Sequence, residues 1–248
     1  NEQDEARFVA DVLNDWMNKG GAYEEAAVLY RSNAQSRAIE EALLRVSIPY
    51  RIYGGLRFYE RLEIKNAIAY LRVIFNNNDN PSFERSISNP TRGVGEKTLA
   101  KIRHAAKQYN ISYIKASAKL IDEGSISGRG GSGLRDYLEF IAGCKSFIEE
   151  NLLSELMELI IKESGLYAYH GKEPGEKGKT RTENLEELIT ATKNFEQSIK
   201  EEKSNIEIAE NYLDIISLDS GERQASEHDD AAQLMTMHSA KGLEFKLV

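Results

Sequence analysis

Residues 233–245 read QLMTMHSAKGLEF. Leu234, Met235, Thr236 and Met237 form a short, mostly apolar run ending at His238, the pattern of a buried strand that enters a polar loop. Ser239 is placed to cap a turn there, and Ala240 and Gly242 are small enough to let backbone N–H groups approach a phosphate. Lys241 adds a cation, and Glu244 adds an acceptor suited to a hydroxyl. A strand followed by a solvated turn has the same composition, so the Lys-Gly pair by itself leaves both readings open.

The opening of the chain carries the same type of unit. Asp4 to Lys19 reads as an amphipathic helix with Phe8, Val9, Val12, Leu13 and Trp16 on one face, ended by Gly20-Gly21. Ala26 to Tyr30 is a short apolar strand of the kind buried in parallel sheets. RSNAQSR follows at Arg31–Arg37, then a helix with Ile39, Leu43 and Leu44 inward that stops before Ile48-Pro49. Tyr50 to Tyr53 is a second strand. Helix, strand, helix, strand is α/β alternation and implies a parallel sheet.

Beyond Gly54-Gly55 the period changes. Helices are expected at Glu60–Phe75, Ser82–Ser88, Glu96–Gln108, Ser112–Asp122, Gly133–Glu149, Leu152–Ser164, Thr182–Ser198 and Asn205–Leu218. The stretches NNNDNP, GSISGRGGSG, HGKEPGEKGK and DSGERQASEHDD read as loops, the last as a linker. The strand at 233–237 then returns to the opening pattern. One α/β domain built from both ends of the chain is therefore expected over 1–54 and 229–248, interrupted by a helical domain over 55–228. Gly54 and Gly55 are the expected hinge. The neighbouring Tyr53, Phe58 and Tyr59 are expected to pack in the core, with base stacking as the alternative.

Two further segments suit a nucleic-acid backbone. RSNAQSR places Arg31 and Arg37 around small amides and hydroxyls just past a strand end, the edge at which open parallel sheets bind ligands. Arg31 suits a phosphate, with Asn33 as a polar partner; a plain helix start with a solvated Arg37 is the competing reading. TRGVGEKT, Thr91–Thr98, opens a helix after a glycine turn. Gly93 and Gly95 free backbone N–H groups around Val94, and Arg92, Lys97 and Thr98 surround them, which makes a phosphate site without base contacts. Gly95 is expected to need the positive-φ region, so that a β-branched residue there would be disruptive. A structural glycine turn is the alternative. The basic loop Lys172–Arg181 reads as solvated.

TMHSAKGLEF closely resembles motif V of the superfamily 1 DNA helicases of the UvrD/PcrA/Rep family. RSNAQSR, IPYRIYGGLRFYERLEIKNAIAYLRV, TRGVGEKT, GEKGKTRTENLEEL and the closing segment occur in that family's order over essentially the whole chain. The resemblance implies part of a RecA-like parallel-sheet domain, the second motor domain, interrupted by a large all-α insertion. It implies single-stranded DNA contacts at Arg31, Asn33, Arg37, Thr236 and His238, and ATP contacts at Gly242 and Glu244. It implies duplex DNA contacts at Arg92, Gly93, Val94, Gly95, Lys97 and Thr98. It also implies an ATP-dependent 3′-to-5′ helicase, acting in DNA repair in the cytoplasm, with ATP and Mg²⁺ as cofactors of the full-length enzyme. A first motor domain in cis and repair proteins would be its partners. A non-catalytic adaptor that clamps duplex DNA is the alternative, and a helical scaffold for protein a third.

Composition sets the remaining bounds. At 248 residues there is room for one large or two modest domains. Hydrophobic content of 41% with 29% charged residues describes a globular chain without a membrane partner. The acidic, polar start NEQDEARF is unlike a secretory leader. The single Cys144 excludes an intramolecular disulfide, reads as a small core residue and fits a cytosolic setting. No Cys/His spacing suits a metal. Net charge of −8 argues against a protein that coats nucleic acid, but Arg92 to Lys107 carries five basic residues against Glu96. The sequence has no G-x-x-x-x-G-K-[ST] loop and no apolar strand ending in Asp-Glu; GRGGSG lacks the lysine and follows no strand. No catalytic residue, bound cofactor or ATP hydrolysis is expected of this chain alone. It stops at Val248 where the pattern reads as the inside of another strand, so it is expected to be a piece of a longer protein.

Overall fold

The structure is a computed structural model and describes residues 2–53, 55–200, 203–221 and 229–248. Packing divides the chain into two compact units, Asn1–Arg61 with Ser217–Val248, and Leu62–Ile216. Helices dominate, and the described strands form one small parallel sheet.

The first unit is organised on that sheet. β1 (Ala27–Tyr30), β2 (Tyr50–Ile52) and β3 (Ala232–Thr236) lie in the order β1-β3-β2, so the strand from the end of the chain enters between the two from its start. Tyr30 pairs with Thr236 and Ile52 with Leu234, both parallel. A central parallel strand is covered on both faces, and Ala231, Ala232, Leu234 and Met235 are all fully buried. The strand thus begins earlier than the apolar run suggests and ends at Thr236, leaving Met237 exposed. α1 (Glu2–Asn18) and α2 (Ser36–Arg45) supply Ala10, Leu13 and Leu43 to a core shared with Tyr30, Ile48, Tyr50 and Ile52.

α1 buries Ala6, Ala10 and Leu13, whereas Phe8, expected inward, is 68% exposed. At about 100° per residue these three share a stripe on the side of the helix opposite Phe8. The alanines look neutral in a hydrophobicity pattern, but their small side chains let the helix approach the sheet. Tyr53 is likewise exposed, while Phe58 and Tyr59 are buried edge to face at 5.2 Å, as expected of core residues.

The second unit is all helical. α3 (Leu62–Phe75) is buried almost all round, through Ile64, Ala67, Tyr70, Leu71 and Ile74. It packs against α4 (Asn80–Ser88), α7 (Gly128–Glu150), α8 (Leu153–Glu163), α9 (Leu166–Gly171) and α10 (Glu176–Ser198). α5 (Glu96–Tyr109) and α6 (Tyr113–Asp122) form a pair, and α11 (Asn205–Gly221) runs out of the unit. Phe83 stands edge to face on Tyr137 at 5.5 Å, and the Tyr137 hydroxyl meets Ser86 Oγ at 2.6 Å.

Two expected loops are helical. α7 starts at Gly128, inside GRGGSG, and α10 starts at Glu176, inside HGKEPGEKGK. Close approach is the reason. A Cβ at Gly133 would lie 2.0 Å from the Arg92 carbonyl oxygen, and one at Gly178 would lie 2.3 Å from that of Glu173. These glycines seat helix against backbone and do not punctuate the chain. The linker expected at DSGERQASEHDD falls mostly outside the described residues, as does Gly54 of the expected hinge. No described helix is long and apolar enough to cross a membrane.

Candidate nucleic-acid interface

The C-terminal ends of parallel strands are where the chain can leave backbone groups and side chains directed at a ligand. Because β1 and β3 are neighbours in register, RSNAQSR and MHSAKGLEF start side by side at that edge: Met237 N donates to the Tyr30 carbonyl at 3.0 Å.

The first of the two segments is tied to itself. Gln35 Oε1 accepts from the amides of Arg31 at 3.0 Å and Ser32 at 3.1 Å, across a short 3₁₀ turn, Asn33–Gln35, before α2 begins. The second turns at once after β3. Ser239 N donates to the Thr236 carbonyl at 2.9 Å, and the hydroxyls of Thr236 and Ser239 meet at 2.9 Å. Gly242 has φ +85°, which favours glycine, and a Cβ there would meet nothing within 4 Å. The segment is then fastened back, with Lys246 Nζ donating to Glu25 Oε1 at 2.5 Å and Ala27 N to the Leu247 carbonyl at 2.9 Å. That lysine holds the Glu25 carboxyl below its ordinary range.

The edge therefore collects Arg31, Asn33, Thr236 and His238, while Gly242 and Glu244 lie further along, on the stretch that runs back to Glu25 and Ala27 at the other end of β1. Arg31, His238, Lys241 and Glu244 are exposed, and their side chains have no hydrogen bond or ion pair among the described residues. Arg37 does not join them. It is 2% exposed, and its Nη1 donates to Glu41 at 2.7 Å on the same face of α2. Its place one turn into the helix turns it inward, away from the exposed position expected of it.

Behind this edge lies a buried polar cluster that sequence reasoning missed. Arg61 Nη1 donates to the Asn33 carbonyl at 2.8 Å and Nη2 to Ser36 Oγ at 2.6 Å. Glu40, 4% exposed, accepts from Ser36 Oγ at 2.6 Å and from Phe58 N at 3.2 Å. Burial pushes the Glu40 carboxyl up, against the opposing pull of Ser36 and Arg61, and pushes the nearby Tyr30 hydroxyl up to about 12. The available signal was a Glu on the inward, apolar face of α2, which has to find a cation when buried.

In the helical unit, the loop before α5 presents Thr91, Gly93, Gly95, Glu96 and Lys97 to solvent, with Val94 and Thr98 half-buried. At the start of α5 the amides of Thr98 and Leu99 donate to the Gly95 carbonyl at 2.9 and 3.1 Å, and no side chain caps the helix, which leaves the amides of Glu96 and Lys97 at its positive end. Two expectations change. Gly93 has φ +75°, but Gly95 has φ −96° with open space around it, so only the first needs glycine's conformational freedom. Arg92 turns inward. It donates to the carbonyls of Ser86, Pro90 and Ser164 and lies 5.5 Å from the ring centroids of both Tyr70 and Tyr137. Arg103 is also spent, paired with Glu84 and Glu96. Lys101 Nζ donates to the Ser125 carbonyl at 2.9 Å. The basic face is therefore carried mainly by Lys97 and Lys107.

Comparison with known proteins bears on this arrangement. A family model described as "UvrD-like helicase C-terminal domain" matches residues 1–127 and 134–248. DNA helicase II of Escherichia coli (strain K12) is 48% identical over 248 residues, all of this chain and 34% of the relative. ATP-dependent DNA helicase PcrA of Leuconostoc citreum is 37% identical over 249 residues, all of this chain and 33% of the relative. The chain spans about a third of the length of the curated relatives it matches.

Proposed function

The chain belongs to the UvrD-like helicase C-terminal family, and from that premise we propose that it serves as the DNA-gripping part of an ATP-dependent 3′-to-5′ DNA helicase of DNA repair. The observation that supports this most is the start of two loops side by side at one sheet edge, with Arg31 and His238 unpaired among the described residues beside the Tyr30–Thr236 register.

In this reading residues 1–54 and 229–248 are parts of a RecA-like second motor domain, and 55–228 is its insertion, hinged at Gly54 and Gly55. The compact unit Leu62–Ile216 lies wholly inside that span. Arg31 and the Asn33 amide hold phosphates of single-stranded DNA. Thr236 and His238 touch the same strand from β3. Lys97, Thr98 and the amides around Gly93, Val94 and Gly95 hold duplex backbone. Arg92 shapes that loop from behind.

ATP, with Mg²⁺, belongs to the full-length enzyme and supplies the free energy of phosphoanhydride hydrolysis. The residues present suit its edge. The exposed Glu244 carboxylate is an unused acceptor for ribose hydroxyls, and the open turn at Gly242 gives backbone access. A first motor domain in cis carries the phosphate loop and metal ligands, and this chain alone holds no nucleotide. Repair proteins as partners and a cytoplasmic setting complete the reading.

The test is DNA-stimulated ATP hydrolysis by the full-length protein. His238→Ala is expected to lose stimulation by DNA while keeping basal turnover, and Glu244→Ala to raise the ATP concentration needed. Normal stimulated turnover in both variants would remove the assignment.

A further inference from the structure

A buried ion pair is an expensive way to stabilise a fold. Removing two charges from water costs several kcal/mol per ion, and a well-packed apolar cluster of the same volume is often as stable. Where such a pair persists, the partners it addresses are informative. The Arg61–Glu40 pair, with 3.7 Å between Nη2 and Oε1, addresses the Arg31–Gln35 loop. Arg61 takes the Asn33 carbonyl and Ser36 Oγ, and Nε takes the Leu56 carbonyl at 3.3 Å. Its guanidinium lies over Phe58, 5.2 Å from the centroid. Glu40 returns the contact through Ser36 and the Phe58 amide, and the Tyr50 hydroxyl lies 3.4 Å from its other oxygen.

The loop is therefore pinned twice. Gln35 fixes the amides of Arg31 and Ser32 from within, and Arg61 fixes the carbonyl of Asn33 from 28 residues away. Between the pins stands Arg31, exposed and unpaired among the described residues. Arg61 is 8% exposed and its charge is matched by Glu40, so it is not itself available to a phosphate.

We infer that Arg61, backed by Glu40 and Ser36, is a positioning residue for the single-strand contact of Arg31 and Asn33. The inference rests on the proposed reading of that loop as a DNA grip. A contact group held in its bound geometry spares the ordering cost of binding. Arg61 acts through the loop, so its removal weakens binding without removing a phosphate contact.

The experiment titrates a labelled single-stranded oligonucleotide with the full-length protein at several salt concentrations. The variants are Arg31→Ala, Arg61→Gln, Arg61→Lys, Ser36→Ala, and Arg61→Gln combined with Arg31→Ala. Arg61→Gln is expected to weaken binding about tenfold, the order of effect that lost pre-organisation produces. Its salt slope should stay that of wild type, whereas Arg31→Ala lowers the slope. In the Arg31→Ala background the added loss from Arg61→Gln should shrink to about twofold, because the two act on one contact. Arg61→Lys, which keeps one bond to the loop, recovers part of the affinity. Ser36→Ala, which leaves the packing intact, gives a smaller loss of the same kind and carries the comparison if Arg61→Gln does not fold. Wild-type affinity in both Arg61→Gln and Ser36→Ala, or an equal loss with and without Arg31, overturns the positioning role. Wild-type affinity and slope in Arg31→Ala overturns the reading of the loop as a grip, and with it this inference.

Discussion

Arg92 Nη2 donates to the carbonyl of Ser164 at 2.8 Å, joining positions 72 residues apart. The same guanidinium holds Ser86 and Pro90 and covers Tyr70 and Tyr137. In a basic loop this arginine looks like a nucleic-acid contact; in the fold it is the post on which the loop is mounted.

Replacing Arg92 by Ala is therefore expected to act on stability. It leaves several carbonyls without a donor and two rings without their cation, a loss of about 3 kcal/mol. Arg92→Lys should recover little, because an ammonium cannot reproduce the planar fork. Urea unfolding followed by circular dichroism checks this. A variant with the wild-type midpoint would show that the contacts contribute nothing.

The two glycines of TRGVGEKT should separate cleanly. Gly93 has φ +75°, and a Cβ there would sit 3.0 Å from Arg129 Cγ, so Gly93→Ala should cost about 1–2 kcal/mol. Gly95→Ala, at φ −96° in open space, should be neutral or slightly stabilising. Lys97→Ala should leave stability alone and lower the salt slope of duplex binding by about 0.9, the value for one phosphate. Thermal unfolding and duplex titrations at two salt concentrations report all three. Equal destabilisation by both glycine variants would contradict the assignment of strain to Gly93.

Much of this was readable because the strands and the longest helices carry their own signals. The run LMTM before a polar turn, and AVLY before RSNAQSR, mark two parallel strands whose following loops start side by side. What escaped has one physical origin: partners that come from far along the chain. The sequence around Arg92 points to a DNA contact because its neighbours are polar and basic, while the Ser164 carbonyl and the Tyr137 ring that hold it come from far along the chain. GRGGSG was read as a loop because glycine usually punctuates, yet Gly133 is there to admit the Arg92 carbonyl. Phe8 was read as core because alanines score weakly, though Ala6 and Ala10 set the buried stripe. Glu40 on the inward face of α2 signals a buried cation partner, but nothing local says that the partner is Arg61.

Cys144 offers a pH-dependent check of the helical core. It is 1% exposed, and burial pushes its thiol up to about 12. The folded state holds this proton more tightly than the unfolded chain. The thiol's contribution to stability is thus fully present below the unfolded value of 9.0 and is lost as pH rises from there toward about 12. At pH 8.5 the native thiol should react with iodoacetamide at least about 100-fold more slowly than in denaturant, since the thiolate is the nucleophile. Native labelling at the denatured rate would place Cys144 at the surface.

The central claim is that the sheet edge beside the Tyr30–Thr236 register grips single-stranded DNA through Arg31. The most direct measurement is the salt dependence of single-strand affinity for the full-length protein and its Arg31→Ala variant. Each phosphate neutralised contributes about −0.7 to the slope of log affinity against log salt for single strands. Arg31→Ala should weaken binding and make the slope shallower by about 0.7, the loss of one phosphate contact. An unchanged slope with unchanged affinity would contradict the claim and place the strand on another surface.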